Sequence, residues 1–169
     1  MKTFKKFIQI SRKILGIDPG YGRLGFGLIS SDGRNNKIID SGLIATTPQK
    51  CWEDRLYEVA VRVEAILKER KPDGVILEKI FFSRNQKTAL KISEIKGVIL
   101  YLAKKHKIPV LEFSPNELKL GITGYGLADK KQVQYAVKML LKDKDISKFD
   151  DVFDALALAL LGASHLVRR

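Results

Sequence analysis

Acidic side chains stand where apolar ones are expected. Asp150, Asp151 and Asp154 open the stretch FDDVFDALALAL, a run so apolar that at least one side of it must be buried. Asp18 closes the apolar segment KILGID, and Glu78 closes GVILE. A carboxylate is costly to desolvate unless it is paired or coordinated, so acids ending neighbouring strands point to a site at a sheet edge. Asp151 and Asp154 lie three residues apart and share a helical face, with Asp150 turned elsewhere. Acids in a helix's first turn also cap free N–H groups, each stabilising by about 1 kcal/mol, which accounts for one or two of the three. Two carboxylates 4 Å apart repel by roughly 4 kcal/mol at an effective dielectric near 20, so four converging acids call for a cation among them. Oxygen donors without a His and Cys cluster suit Mg²⁺ or Mn²⁺ over zinc, and a two-ion site is suited to phosphodiester hydrolysis.

The elements that must position these acids follow from periodicity. KILGID (13–18) and LGFGLIS (24–30) read as strands, and KIIDSGLIAT (37–46) completes an antiparallel meander after the turn-rich SSDGRNN. Leu56, Val59, Val63, Ile66 and Leu67 recur at helical steps between Trp52 and Lys71, and Pro72 supplies a stop. A buried strand over 74–78, a helix over 87–105, a strand over 109–113, a helix over 130–142 and a last helix from Asp150 are expected. The glycines at 121, 124 and 126 mark 114–131 as a flexible loop. A meander followed by alternating helices and strands predicts an α/β fold with a mixed five-stranded sheet flanked by helices, the ribonuclease H-like pattern.

Composition narrows the partners. The 169 residues carry 31 Lys and Arg against 19 Asp and Glu, a net charge of +12, as a domain that gathers phosphates requires. No apolar run approaches the roughly 20 residues of a spanning helix, and the lysine-bearing N-terminus lacks a signal-peptide core, so a cytoplasmic location is expected. Cys51, the sole cysteine, excludes an internal disulfide and is expected to be a part-buried thiol. His106 and His165 have no ligand spacing and are read as surface residues. A basic extension over 1–12 and one ribonuclease H-like domain over 13–169 are expected.

One motif misleads. Gly20, Gly22 and Gly25 have the G-x-G-x-x-G spacing of a dinucleotide site. That motif needs a helix to open at the glycines, whereas LGFGLIS alternates as a strand does, so the reading fails on context.

From about Ile14 to His165 the chain resembles the RuvC family of Holliday-junction resolvases. ILGIDPGYGRLGFGLI is similar to that family's first strand pair with its catalytic Asp18, PDGVILEKIFFSRN to its second acid segment with Glu78, and FDDVFDALALAL to its D-x-x-D-A-L-A segment with Asp151 and Asp154. The resemblance implies a ribonuclease H-like fold and a homodimer that resolves four-way junction DNA by symmetric nicks, in homologous recombination and repair. It implies Mg²⁺, with Mn²⁺ as substitute and two ions per site, held by Asp18, Glu78, Asp151 and Asp154. It implies that Phe81, with Phe82 beside it, stacks on junction bases, although Phe82 is the better core residue of the two. Lys119 and Lys130 match basic positions expected to hold phosphate, and Arg84, Lys87 and Lys91 extend the basic run toward DNA backbone. A branch-migration motor complex is a further partner of such enzymes, not implied to be obligatory here. Two other readings use the same residues: a non-catalytic junction-binding module, and a ribonuclease H acting on RNA–DNA hybrids.

Overall fold

The structure is a computed structural model that describes residues 11–79, 86–143, 146 and 149–167. Five strands form one mixed sheet: β1 (Arg12–Pro19), β2 (Arg23–Ser31), β3 (Asn36–Ala45), β4 (Gly74–Glu78) and β5 (Val110–Phe113), in the spatial order β3-β2-β1-β4-β5. The first three pair antiparallel, while β4 and β5 run parallel to β1, as the sequence predicts.

Alternation along the strands assigns each face its helices. Leu15 and Ile17 of β1, with Val75 and Leu77 of β4, pack against α1 (Trp52–Arg70) and α2 (Gln86–Lys105). Ile14 and Ile76 face the other way, toward α3 (Pro115–Thr123), α4 (Lys130–Leu141) and α5 (Asp150–Leu166). Successive side chains point to opposite faces, so Asp18 and Glu78 share the α5 face with Ile14 and Ile76.

Helix α5 is apolar nearly all round because it is enclosed, with the sheet on one side and α3 and α4 on the other. Its approach is unusually close. A Cβ at Gly16 would stand 1.9 Å from the Ala155 carbonyl oxygen, and one at Gly27 would stand 2.7 Å from the Leu156 side chain. Gly162 on the helix answers them, fitting against Ile76 and Ile14. Of the dinucleotide-like stretch, Gly20 and Gly22 lie in the turn between β1 and β2 and Gly25 stands in β2 under the first turn of α5, so no helix opens at these glycines.

Three expectations need correction. The segment after β5 is not a flexible loop: α3 occupies half of it, started by a capping box in which Ser114 and Glu117 exchange hydrogen bonds, with Pro115 next to the cap. Gly124 ends it in the left-handed conformation that glycine adopts without penalty. Cys51 is exposed at the start of α1 instead of part-buried, because it precedes the helix's buried face. His106 is half-buried, its Nε2 3.1 Å from Glu64 Oε1, since the chain turns back there toward β5.

Candidate active site

Two of the four acids meet through strand register. Ile17 pairs with Leu77 across the parallel β1–β4 ladder, so the residues that follow, Asp18 and Glu78, end the two central strands side by side. The other two arrive on α5, whose N-terminal turn lies over β2. Gly25 is the partner of Asp18 in the β1–β2 ladder, and the space above it is filled by the backbone and Cβ of Asp151. The N-cap of α5 is Phe149, which has no side-chain oxygen to offer, and Asp150 leans away, 3.0 Å from Lys130 Nζ and 2.8 Å from the Gln134 amide. Asp151 and Asp154 are left on the sheet-facing side, both half-buried.

The electrostatics of the cluster are set first by burial and then by crowded like charges. Burial, followed by the fields of Asp154, Glu78 and Asp151, raises the Asp18 pKa to about 7, against a smaller opposing pull from Lys130. Burial and Asp154 raise Glu78, with Lys96 opposing, and burial raises Asp154. Lys96 works from behind the sheet end, its Nζ 3.3 Å from the Glu78 carbonyl and 3.0 Å from Glu112. Asp151 has a different neighbour: Arg23 Nε approaches its Oδ2 to 2.7 Å. The contact is an ion pair with the N–H directed off the oxygen, so this buried Oδ2 receives no directed hydrogen bond.

All four acids are thus electrostatic neighbours of one another through Asp18. Among the described residues, no three such side chains stand close enough, as they are, to chelate a single ion. The donor set nonetheless suits a hard divalent cation: carboxylate oxygens only, one of them buried without a directed donor, around an acid whose proton affinity is raised by its companions.

The basic residues expected near the site fall in different settings. Lys130 begins α4 and its charge reaches Asp18 and Asp154. Lys119 is half-buried on α3, and Lys87 is exposed in the first turn of α2. Lys91 is engaged within the protein, 4.7 Å above the Trp52 ring and 3.3 Å from Glu94. Phe81, Phe82 and Arg84 lie outside the described residues.

Two arginines enter that the sequence pattern does not single out. Arg23 is one. Arg55 is the other, only 4 % exposed, donating to the Tyr21 carbonyl at 2.7 Å and the Thr46 hydroxyl at 3.0 Å while its guanidinium covers the Tyr21 and Trp52 rings. Those rings stack 5.5 Å apart, so the turn between β1 and β2 is clamped next to the acids.

Comparison with known proteins decides the family. The family model for crossover junction endodeoxyribonuclease RuvC matches residues 14–162. The chain belongs to the RuvC family. RuvC of Thermosipho melanesiensis is 44 % identical over 147 residues, spanning 87 % of this chain and 94 % of that protein. RuvC of Syntrophomonas wolfei is 43 % identical over 88 % of this chain and 86 % of its own. Among solved structures, Thermus thermophilus RuvC in complex with Holliday junction substrate superposes with a TM-score of 0.87 at 28 % identity, covering 93 % of this chain and 96 % of that one. A yeast mitochondrial Holliday junction resolvase shares the fold at a TM-score of 0.66 and 16 % identity, covering 96 % of this chain and 85 % of that one. The matched residues 14–162 run from β1 into α5 and contain the positions of all four acids.

Proposed function

We propose that this chain is a structure-selective endonuclease that resolves four-way DNA junctions by symmetric paired nicks, through metal-dependent phosphodiester hydrolysis, in homologous recombination and repair. The observation that carries the reading is the meeting of Asp18 and Glu78 at adjacent strand ends with Asp151 and Asp154 on the helix pressed against them. Family membership supplies the reaction class, and the net charge of +12 suits a polyanionic substrate.

Asp18, Glu78, Asp151 and Asp154 would hold Mg²⁺, or Mn²⁺ in its place, as two ions. Bound there, such ions would supply an activated water and stabilise charge on the leaving oxygen. The chain's own residues prepare that chemistry. Asp18 must surrender its proton to serve as a ligand, and Lys130 eases this by drawing its pKa down. Lys130 and Lys119 hold backbone phosphate near the acids, with Lys87, Lys91 and Arg84 extending the track. Phe81, three positions past Glu78 in the chain, stacks on an unpaired junction base, with Phe82 beside it. Two opposed strands require two sites, so the acting unit is a homodimer, and the compartment is the cytoplasm. No helix of the described residues is long and apolar enough to cross a membrane. The nuclease domain is residues 13–169, with residues 1–12 as a basic extension.

The test is a synthetic four-way junction incubated with the protein and Mg²⁺. Paired symmetric nicks are expected from the wild type, while Asp18→Asn binds the junction without cutting it. An RNA–DNA hybrid duplex is expected to survive. Cleavage of the hybrid in preference to the junction, or undiminished cutting by Asp18→Asn, would overturn the proposal.

A further inference from the structure

The Arg23–Asp151 pair has no evident part in holding the fold. Arg23 begins β2 with a side chain 52 % exposed, whereas the Asp151 side chain is only 20 % exposed. The guanidinium can therefore swing into solvent, and the carboxylate, carried on the first turn of α5 against Gly25, cannot follow it. The backbone beneath Arg23 is fixed as well. Arg55 holds the Tyr21 carbonyl, Tyr21 stacks on Trp52, and the Gly22 carbonyl accepts from the Thr46 amide at 3.1 Å. The arginine side chain is thus the movable member of the pair.

Its position conflicts with a cation at the same oxygen. A guanidinium 2.7 Å from Asp151 Oδ2 and a divalent ion on that oxygen would repel each other at close range. Arginine also presents a planar fork of donors that matches a phosphate group, and Arg23 is exposed next to the acid cluster through its contact with Asp151.

Resting on the metal-site reading above, we infer that Arg23 is a latch on Asp151. In the DNA-free protein it neutralises the carboxylate and holds it against an incoming divalent cation. A backbone phosphate of bound DNA draws the guanidinium away and frees the ligand, so metal loading and substrate binding are coupled through one side chain.

The test titrates the metal-free, DNA-free full chain with Mn²⁺, following free ion by electron paramagnetic resonance. Arg23→Gln is expected to bind Mn²⁺ roughly fivefold more tightly than wild type, the size of a partly exposed ion pair removed. The gain should vanish in the Asp151→Asn background, because the coupling runs through that carboxylate. Arg23→Lys, which keeps the charge without the fork, should remain near wild type. In EDTA, Arg23→Gln should bind the junction more weakly, with its salt dependence shallower by about one unit of slope. Equal or weaker Mn²⁺ binding by Arg23→Gln, or a gain that persists with Asp151→Asn, overturns the latch. If Asp151→Asn alone weakens Mn²⁺ binding, the ligand assignment survives that failure; if it leaves Mn²⁺ binding unchanged, the ligand assignment falls and the latch with it.

Discussion

Gly25 stands opposite Asp18 in the β1–β2 ladder, and a Cβ in its place would lie 2.1 Å from the carbonyl oxygen of Asp151. The clash is with helix backbone, which cannot rotate aside as a side chain would. Gly25→Ala must lift the first turn of α5, and Gly16→Ala, 1.9 Å from the Ala155 carbonyl, must lift the second. Each is expected to destabilise by about 2–4 kcal/mol in urea denaturation, with junction cleavage falling further than the folded fraction. Gly22→Ala is the control. Among the described residues no atom would lie within 4 Å of the added methyl, and the φ of Gly22 is not in the left-handed region, so its stability should stay within about 0.5 kcal/mol of wild type.

The raised pKa of Asp18, about 7, makes stability fall with pH where most proteins are indifferent. From about pH 4 to pH 7 the native carboxyl keeps a proton that the unfolded chain, with an ordinary aspartate, has released. Folding is therefore favoured at the acid end of this window, and the advantage is lost as pH rises through 7. Metal-free protein should lose on the order of 2–3 kcal/mol between pH 5 and pH 8, seen by calorimetry in EDTA as a Tm lower by several degrees. Glu64 and Glu117, held at about 2 by their hydrogen bonds, change only below this range. Asp18→Asn should flatten the trend, and Mg²⁺ should restore Tm more at pH 8 than at pH 5. A Tm in EDTA that rises across the window would count against the crowded-acid account.

The acids were legible because each breaks a pattern: Asp18 and Glu78 end apolar strands, and Asp154 stands within an apolar helix. The mix of antiparallel and parallel pairing followed from alternation and from a meander ahead of the crossovers, whereas the spatial order of the strands was not read from the sequence. Helix α3 also has a sequence signal, since Ser114-Pro115-Asn116-Glu117 carries the S-x-x-E spacing of a capping box, but three nearby glycines mask it. Arg55 left a fainter trace. It stands four residues before Val59, Val63 and Leu67 continue the buried face of α1, so a cation interrupts an apolar stripe. Arg23 left none, because its role depends on the distance between a strand end and a helix turn more than a hundred residues later, which only the glycine-lined approach of α5 sets.

Arg55 gives a third prediction. Among the described residues it is buried without a carboxylate partner, and its charge is met by two oxygens and two ring faces. Arg55→Met keeps the volume but strands the Tyr21 carbonyl and loosens the turn that carries Arg23. A loss of about 1–3 kcal/mol is expected, with faster amide exchange in the β1–β2 turn than in β4. Arg55→Lys should recover only part of it, because a single ammonium cannot reach both oxygens while covering both rings. Exchange in the turn that matches wild type in Arg55→Met would show that the clamp lies elsewhere.

Lys130 acts on the acids and is also proposed to hold phosphate. Burial works against its charge, but its ion pair with Asp150 and the fields of Asp154 and Asp151 prevail, holding its ammonium above the ordinary lysine range. In return it pulls the pKa of Asp18 and Asp154 down. Removing the charge in Lys130→Met must raise both carboxyls further, which carbon-detected NMR of the metal-free protein can follow at Asp18. The same variant should lose junction affinity evenly across sequences, with a salt slope shallower by about one. Lys130→Arg should preserve the titration, since the field depends on charge and position and not on donor geometry. An Asp18 titration unmoved in Lys130→Met would separate the two duties, leaving Lys130 as a phosphate contact without influence on the acids.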